Sequence, residues 1–140
     1  MSIRIFYEGT KFRLKSSRKA CRLIEKVIKS EKRTLGDLNF IISNDQYILE
    51  INREFLKHNY FTDVIAFGGT SNGIVNGEIY ISKDTVKRNS INYNVSLQEE
   101  MLRVLFHGVL HLVGYEDRDE VEKNIMHQKE DKWLRVFNSI

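Results

Sequence analysis

The chain has 140 residues, of which 41% are hydrophobic and 29% charged, with one Cys and no Pro. This length fits a single domain spanning residues 1–140, and the apolar fraction is too high for a disordered chain. One Cys cannot form an internal disulfide, and the longest apolar stretch, Val104–Tyr115, is shorter than the roughly 20 residues of a membrane helix. We therefore expect a soluble cytoplasmic protein with no membrane association.

The charged residues are distributed unevenly along the chain. Residues 1–35 carry 11 basic and 3 acidic side chains, a net +8, whereas residues 36–140 carry 11 basic and 16 acidic ones, a net −5. A basic segment of this kind is typical of a protein with a polyanionic partner, but also of an ordinary solvated helix face. Charge patterning alone leaves both interpretations open.

A strand and a basic helix are predicted at the start of the chain. Ile3, Ile5 and Tyr7 alternate with polar residues, which is the pattern of a short strand. Ser16 or Ser17 can cap a first helix, in which apolar residues recur at helical spacing. The basic residues left for its outer face are Arg18, Lys19, Arg22, Lys26 and Lys29.

Two more strands flank a second helix. Leu38–Ile42 predicts a buried strand because it is short and apolar and ends at turn-forming residues. Asn44 or Asp45 can cap the helix that follows. Asp63–Phe67 is the third predicted strand, and we expect the two glycines after it, Gly68-Gly69, to end it.

A loop, a fourth strand and a third helix come next. The polar and glycine-rich residues between 71 and 77 predict a loop, Glu78–Ser82 predicts a strand, and residues 83–92 have helical sequence. Four strands interleaved with helices in a chain of this length predict an α+β fold, in which helices pack over a mixed four-stranded sheet.

The fourth predicted helix has the clearest ends. Ser96 and Glu99 fit a capping box at its start, and Gly114 is well placed to stop it. From residue 101 to residue 113, Arg103 is the only Lys, Arg, Asp or Glu. A helix that is apolar on nearly every face is buried, so we expect this one to lie in the core.

A last helix is predicted from about Asp119 to Asn138. Its apolar residues fall on one side and comprise Val121, Ile125, Met126, Trp133, Val136 and Phe137. His127 lies away from this stripe, and His58 lies in a polar stretch, so we expect both histidines at the surface.

Two histidines lie four residues apart in the buried helix. His107 and His111 share one helix face, so their imidazoles project together at chelating distance. Asp117 follows after Gly114 has turned the chain and can supply a third, oxygen ligand. Three protein ligands leave a coordination position for water, which is the arrangement of a catalytic zinc site.

The alternative is a pair of core histidines that hydrogen-bond to backbone or buried water. An unpaired polar group in such a core costs about 1–3 kcal/mol, so two of them need a reason, and we favour the metal. Zinc proteases use His-Glu-x-x-His, in which the Glu is the general base. Gly108 stands in the place of that Glu, which disfavours a protease.

Three blocks of sequence together resemble the YbeY family of rRNA-maturation endoribonucleases. His107–Asp117, HGVLHLVGYED, is similar to the family signature H-G-x-L-H-L-x-G-Y-D-H. Thr62–Phe67 resembles the block T-D-V-L-S-F, and Gly77–Ser82 resembles G-D-I-x-I-S. The order and spacing of the blocks also fit over about residues 38–118, whereas the first 35 residues match in outline only.

The resemblance implies a compact domain with a zincin-like metal helix and one bound zinc ion. It implies hydrolysis of single-stranded RNA during maturation of the 3′ end of small-subunit ribosomal RNA, and a part in ribosome quality control, with the small ribosomal subunit as partner. His107 and His111 then correspond to the first two zinc ligands, and Asp117 stands where the family has its third His. An Asp ligand makes the site harder and broadens the metal choice toward Mn or Co.

Two positions depart from the family pattern. The family's Arg after the second helix falls at Leu56, so a phosphate clamp there is vacant or has moved to the neighbouring Arg53 or Lys57. The family's Pro falls at Phe61. We expect the basic first helix and Lys57 to hold the RNA backbone through phosphate contacts.

Several points of mechanism and function stay open. No general acid or base can be named: Glu116 and Asp119 lie near the ligands in sequence, and direct use of a metal-bound water is equally compatible. One alternative function is a non-catalytic ribosome-associated zinc protein, which the missing Arg at Leu56 favours. The other is a metal-dependent hydrolase of another substrate, with a protease the least favoured.

Overall fold

The computed structural model describes residues 1–57 and 62–140. His58 and Phe61, which the sequence placed at the surface and at the family's Pro position, lie outside the described residues. Within the described ranges the elements in chain order are β1 (Ser2–Tyr7), α1 (Ser17–Ser30), β2 (Thr34–Ser43), α2 (Asp45–Leu56), β3 (Val64–Ser71), β4 (Ile74–Ser82), α3 (Lys83–Asn92), α4 (Leu97–Leu112) and α5 (Glu120–Ser139).

The strands form one mixed sheet in the order β1-β2-β4-β3. β1 and β4 both pair with β2 in parallel, and β3 pairs with β4 antiparallel. Parallel neighbours need a crossover connection, and α1 supplies it between β1 and β2. The predicted α+β class and mixed four-stranded sheet are confirmed.

The register of the strands shows which helices cover each face of the sheet. Ile5, Phe40 and Ile79 lie side by side across β1, β2 and β4, so they share one face. Gly108 of α4 contacts Ile79, which places α4 over that face. On the opposite face, rings from α2, β3 and β4 contact one another: Tyr47, Phe55, Phe67 and Tyr80. α4 therefore lies over one face of the sheet and α2 over the other.

The β3–β4 hairpin contradicts the prediction that Gly68-Gly69 ends a strand and that residues 71–77 form a loop. β3 continues to Ser71, and the turn consists of Asn72 and Gly73 alone, both with positive φ (52° and 75°). Asn-Gly with this backbone is the usual signal for a two-residue hairpin, so the turn follows from these two residues. Gly68 lies inside the ladder, paired with Gly77. A Cβ at Gly68 would come within 2.3 Å of a backbone oxygen of β4, so this close approach requires a glycine.

The predicted side-chain caps at Asn44 and Ser96 are confirmed, and Asp119, which was not predicted as a cap, starts α5 in the same way. Asn44, Ser96 and Asp119 each accept a hydrogen bond from the backbone N–H three residues further on. α1 is different: Ser16 occupies the cap position in a left-handed conformation, with φ 57°, and makes no side-chain cap hydrogen bond. The expected serine cap of α1 is therefore wrong, and this helix depends on its buried apolar face.

The core lies between the sheet and α1, α4 and α5. The expectation that α4 is buried is confirmed, since ten of its residues are buried. The apolar stripe of α5 is buried only in its later turns: Val121 and Ile125 are 69% and 42% exposed. One charged side chain of α5, Glu130, is buried among these residues at 5% exposure.

The basic side chains of α1 lie mostly on its outer face, as expected. Arg18, Arg22, Lys26 and Lys29 are exposed, whereas Lys19 is half-buried and donates to the backbone oxygen of Ile140. In the part of the chain that the structure describes, no helix is both long and apolar enough to cross a bilayer.

We predict that Gly68→Ala lowers the free energy of unfolding by about 2–4 kcal/mol, because it adds a backbone clash at a φ of 109°. Gly69→Ala is the matched control: a Cβ at that neighbouring position meets no atom within 4 Å. We expect it to change stability by less than about 0.5 kcal/mol. Urea unfolding measures both variants, and equal losses would contradict the role given to Gly68.

Candidate metal centre

α4 brings its two histidines together as their spacing predicts. The Nε2 atoms of His107 and His111 are 3.0 Å apart, one helical turn separating the two residues. Their side chains are 22% and 24% exposed. Both rings are therefore embedded in the protein, with one edge left open to solvent.

The chain after α4 returns Asp117 to the same place. Gly114 ends the helix with a φ of 114°, and its N–H donates to the backbone oxygen of His111 at 3.0 Å. Asp117 Oδ2 lies 3.4 Å from His107 Nε2 and 3.5 Å from His111 Nε2. The predicted three residues thus form one cluster that could hold a metal ion.

The three atoms are spaced as ligands of one ion would be. Ligand atoms about 2.0–2.1 Å from a tetrahedral zinc are about 3.3 Å from one another. The separations of 3.0, 3.4 and 3.5 Å in the cluster are close to this value. Two imidazole nitrogens and one carboxylate oxygen suit zinc and neighbouring divalent metals, and three protein ligands leave a coordination position open.

Hydrogen bonds to the other ring nitrogens determine which atoms face the cluster. His107 Nδ1 lies 2.6 Å from Glu130 Oε2, and His111 Nδ1 lies 2.9 Å from the backbone oxygen of Tyr115. Carboxylate and carbonyl oxygens accept, so each Nδ1 carries the proton and each Nε2 presents a lone pair. Two lone pairs facing each other at 3.0 Å require a cation between them, either a proton or a metal ion.

The electrostatics of the cluster favour positive charge. Burial lowers the pKa of His107, but the hydrogen bond to Glu130 and the negative charges of Glu130, Asp117 and Asp63 outweigh it. The pKa of His107 is consequently raised above its ordinary value. The same attraction that favours a proton on this ring favours a divalent cation in the cluster.

Glu130 connects the cluster to an ion-pair network between α4 and α5. Its Oε1 accepts a hydrogen bond from Arg103 at 3.0 Å, while its Oε2 faces His107. Arg103 also donates to Asp131 at 2.6 Å. Arg103 therefore compensates the buried charge of Glu130, which in turn orients His107.

Tyr115 anchors the segment that carries Asp117. Its hydroxyl donates to Glu31 at 2.7 Å, and Lys129 donates to the other oxygen of Glu31 at 3.0 Å. These contacts join the C-terminal end of α1, α5 and the segment after α4. The carbonyl that orients His111 is thereby held in a fixed position.

Two cavities meet at the cluster. The first, of about 600 Å³, and the second, of about 500 Å³, are both lined by Asp63, His107 and Asp117. Burial raises the pKa of Asp63, although His107 and two backbone N–H groups oppose that shift. The cluster is therefore accessible from two sides, past the half-buried carboxyl group of Asp63.

The predicted RNA-contacting residues lie at the C-terminal end of α2, the helix that forms part of the wall of the second cavity. α2 contributes Asn52 and Leu56 to the lining, with Leu56 39% exposed. Arg53 and Lys57 are exposed near that end of α2. The structure thus puts the position of the family's Arg, Leu56, against the cavity, and it leaves the roles of Arg53 and Lys57 as predictions.

The other residues weighed from sequence lie outside the cluster. His127 is exposed, with 62% of its side chain accessible, as expected. Asp119 caps α5, and Glu116 borders the second cavity. Sequence reasoning missed Glu130, which lies in a polar stretch of α5, and Glu100, which shares the α4 face of His107 at a spacing of seven residues.

We predict that Glu130→Gln weakens zinc binding about 10- to 100-fold, because His107 loses the carboxylate that orients it. Asp131→Asn is the matched control, since it also removes a carboxylate partner of Arg103 but leaves His107 untouched. We expect the control to bind zinc within about threefold of the unmodified chain. Chelator competition measures both affinities, and equal losses would contradict an orienting role for Glu130.

Comparison with known proteins places this geometry in a family. A family model described as Endoribonuclease YbeY matches residues 7–138. Endoribonuclease YbeY of Christiangramia forsetii is 38% identical over 133 residues, covering 95% of this chain and 93% of the relative. That of Karelsulcia muelleri is 41% identical over 129 residues, covering 92% of each chain.

A solved structure agrees with these matches. The solution structure of TM1509 from Thermotoga maritima aligns with a TM-score of 0.68 at 30% identity, covering 97% of this chain and 89% of that one. The sequence match and the shared fold extend well beyond the three motif blocks and include the first helix. The chain belongs to the Endoribonuclease YbeY family.

Proposed function

We propose that this protein is a zinc-dependent endoribonuclease of single-stranded RNA. It acts as one domain in the cytoplasm, in maturation of the 3′ end of small-subunit ribosomal RNA and in ribosome quality control, with the small ribosomal subunit as partner. One observation carries the proposal: His107, His111 and Asp117 converge within 3.5 Å where two open cavities meet, in a member of an endoribonuclease family.

His107, His111 and Asp117 are the proposed ligands of one zinc ion. A divalent ion held there would polarise a phosphoryl group and lower the pKa of a water molecule. Glu130 and the Tyr115 carbonyl hold the two Nδ1 atoms, so both Nε2 lone pairs would be available to an ion bound there. The hard Asp117 ligand also supports a wider choice of metal, toward Mn or Co.

The basic side chains on α1 and at the end of α2 are proposed to bind the RNA backbone. Phosphate contacts of this kind position a strand without reading its sequence. Arg53 and Lys57 have exposed side chains at the end of α2 that borders the second cavity. On α1 the corresponding residues are Arg18, Lys19, Arg22, Lys26 and Lys29.

One observation favours the alternative of a non-catalytic zinc protein. Among the described residues that line the second cavity there is no Lys or Arg, and Leu56 occupies the position of the family's Arg. A hydrolase of another substrate also fits the metal cluster. A protease fits least, because Gly108 supplies no general base and is packed against the sheet.

We predict that the purified protein holds about one equivalent of zinc and cleaves single-stranded RNA, with the rate reduced at least about 100-fold in His111→Ala and Asp117→Ala. Metal analysis and a cleavage assay on labelled single-stranded and double-stranded RNA measure this. Chelation should abolish cleavage and added zinc restore it. Cleavage that persists in both variants would come from a contaminating nuclease and remove the catalytic claim.

We further predict that Leu56→Arg raises kcat/KM for RNA about tenfold, because it adds a charged donor to the second cavity. Phe55→Arg is the control: it adds the same charge at a neighbouring side chain that is 59% exposed and is not among the residues lining either cavity. We expect the control to gain less than about threefold. Cleavage rates at two salt concentrations separate the effects, and equal gains would show only general attraction of RNA.

A further inference from the structure

Glu100 is a buried carboxyl group that the metal cluster does not use. It lies on α4 seven residues before His107 and is 5% exposed. Among the residues that the structure describes, none donates a hydrogen bond to it. Its oxygens are not fully enclosed, since they are not among the buried side-chain atoms that lack a partner, so Glu100 presents free acceptors toward the cavity that it lines.

Glu100 lines the larger cavity, which also reaches the metal cluster. This cavity of about 600 Å³ is within the size range of small-molecule sites. His107 and Asp117 border it, and so does the exposed ring of Tyr93. Its aliphatic and thioether side chains are Val95, Val104 and Met126. The cavity thus joins a metal-binding end to apolar surfaces and to two buried carboxylates, of which Glu130 has both oxygens engaged and Glu100 has neither engaged by a described donor.

The separation of Glu100 and His107 along α4 indicates the length of a ligand that could contact both. Seven residues are about 10 Å along a helix axis, or two turns, so Glu100 and His107 lie on the same face. A nucleotide has a comparable length between its phosphorus and the far edge of its base.

We propose that this cavity binds the base of the nucleotide next to the scissile phosphate, and that Glu100 selects guanine. A carboxylate has acceptors only, and the N1–H and 2-amino groups of guanine are two parallel donors that match its two oxygens. Adenine and cytosine do not present two adjacent donors on that edge. The inference rests on the proposed function, because it assumes that a phosphodiester is bound at the metal cluster.

The charges around Glu100 make this selection depend on pH. Burial raises the pKa of Glu100 to about 7; Arg103 opposes the shift, while Asp63, Glu130 and Glu99 add to it. Lys123 and His127 of α5 border the same cavity. Below pH 7 the protonated carboxyl has a donor facing the donors of guanine, so the preference for guanine should increase as the pH rises through 7.

Binding of mononucleotides tests the inference without relying on cleavage. Guanosine and adenosine 5′-monophosphate are titrated calorimetrically into the zinc-loaded chain at pH 6 and pH 8. We expect guanosine monophosphate to bind about tenfold more tightly at pH 8 and no more than about threefold more tightly at pH 6. The affinity ratio at each pH removes effects common to both nucleotides, including any titration of the metal ligands.

Variants at Glu100 identify the group responsible. Glu100→Gln should remove the guanine preference and its pH dependence, while zinc content and melting temperature stay near those of the unmodified chain. Glu100→Asp keeps a carboxyl and should retain part of the preference, which covers the case of a poorly folded Gln variant. Glu8→Gln, an exposed glutamate outside both cavities, is the control and should leave the preference intact.

The outcomes separate this inference from the proposed function. Equal affinity for the two nucleotides, or a guanine preference that survives in Glu100→Gln, overturns the base site whether or not RNA is cleaved. Tighter Glu100-dependent binding of argininamide than of guanosine monophosphate also overturns it and assigns the cavity to a cationic peptide. Glu100-dependent guanine binding without any RNA cleavage overturns the proposed nuclease and leaves the guanine site standing.

Discussion

The close packing of α4 on β4 at Gly108 is the constraint on which the site depends. A Cβ at this position would lie 2.9 Å from two atoms of Ile79, so only glycine lets the helix approach the sheet this closely. Gly108 faces the sheet while its neighbour His107 faces the cavities. The position that carries a general base in zinc proteases is thus used here for packing, and a glutamate side chain would have no room there.

Other contacts hold His107, His111 and Asp117 in a defined geometry. Gly114 reverses the chain, the Tyr115 carbonyl orients His111, and Glu130 orients His107 from another helix. Each of these groups is itself held, Tyr115 by Glu31 and Glu130 by Arg103. The cluster therefore combines ligands from one helix and one loop with supporting groups from α1, α4 and α5.

The parts of the structure that could be predicted from sequence are those set by local spacing. The histidine pair, the return of Asp117 after a glycine, and the caps at Asn44 and Ser96 all follow from residues within about ten positions of one another. The hairpin was predictable too, since Asn72-Gly73 carries its signal, but the glycines of β3 were mistaken for a strand end. A glycine in a strand ends it or permits close approach of a neighbouring strand, and only the pairing partner distinguishes the two.

The supporting residues could not be predicted because they depend on contacts between distant parts of the chain. Glu130 lies 23 positions from the histidine it orients, in a helix whose other faces carry many charges. Nothing in a sequence of that kind separates a buried glutamate from an exposed one. Glu100 carried a weak signal, its spacing from His107, but that spacing gains meaning only when a cavity is found along the same face.

The distribution of charge at the site limits how an RNA strand can bind. Asp63, Glu100 and Asp117 border the cavities, and only Glu130 among the lining carboxylates has both oxygens engaged by described cationic or imidazole groups. A phosphate would be repelled from such a site unless a divalent cation occupied the cluster. Lys123 of α5 borders the first cavity, whereas the exposed basic residues proposed to bind the RNA backbone lie on α1 and at the end of α2. In the proposed function, attraction of the strand and chemistry at the phosphate would therefore be separated in space, with the backbone held outside the cavities and the nucleotide at the metal inside them.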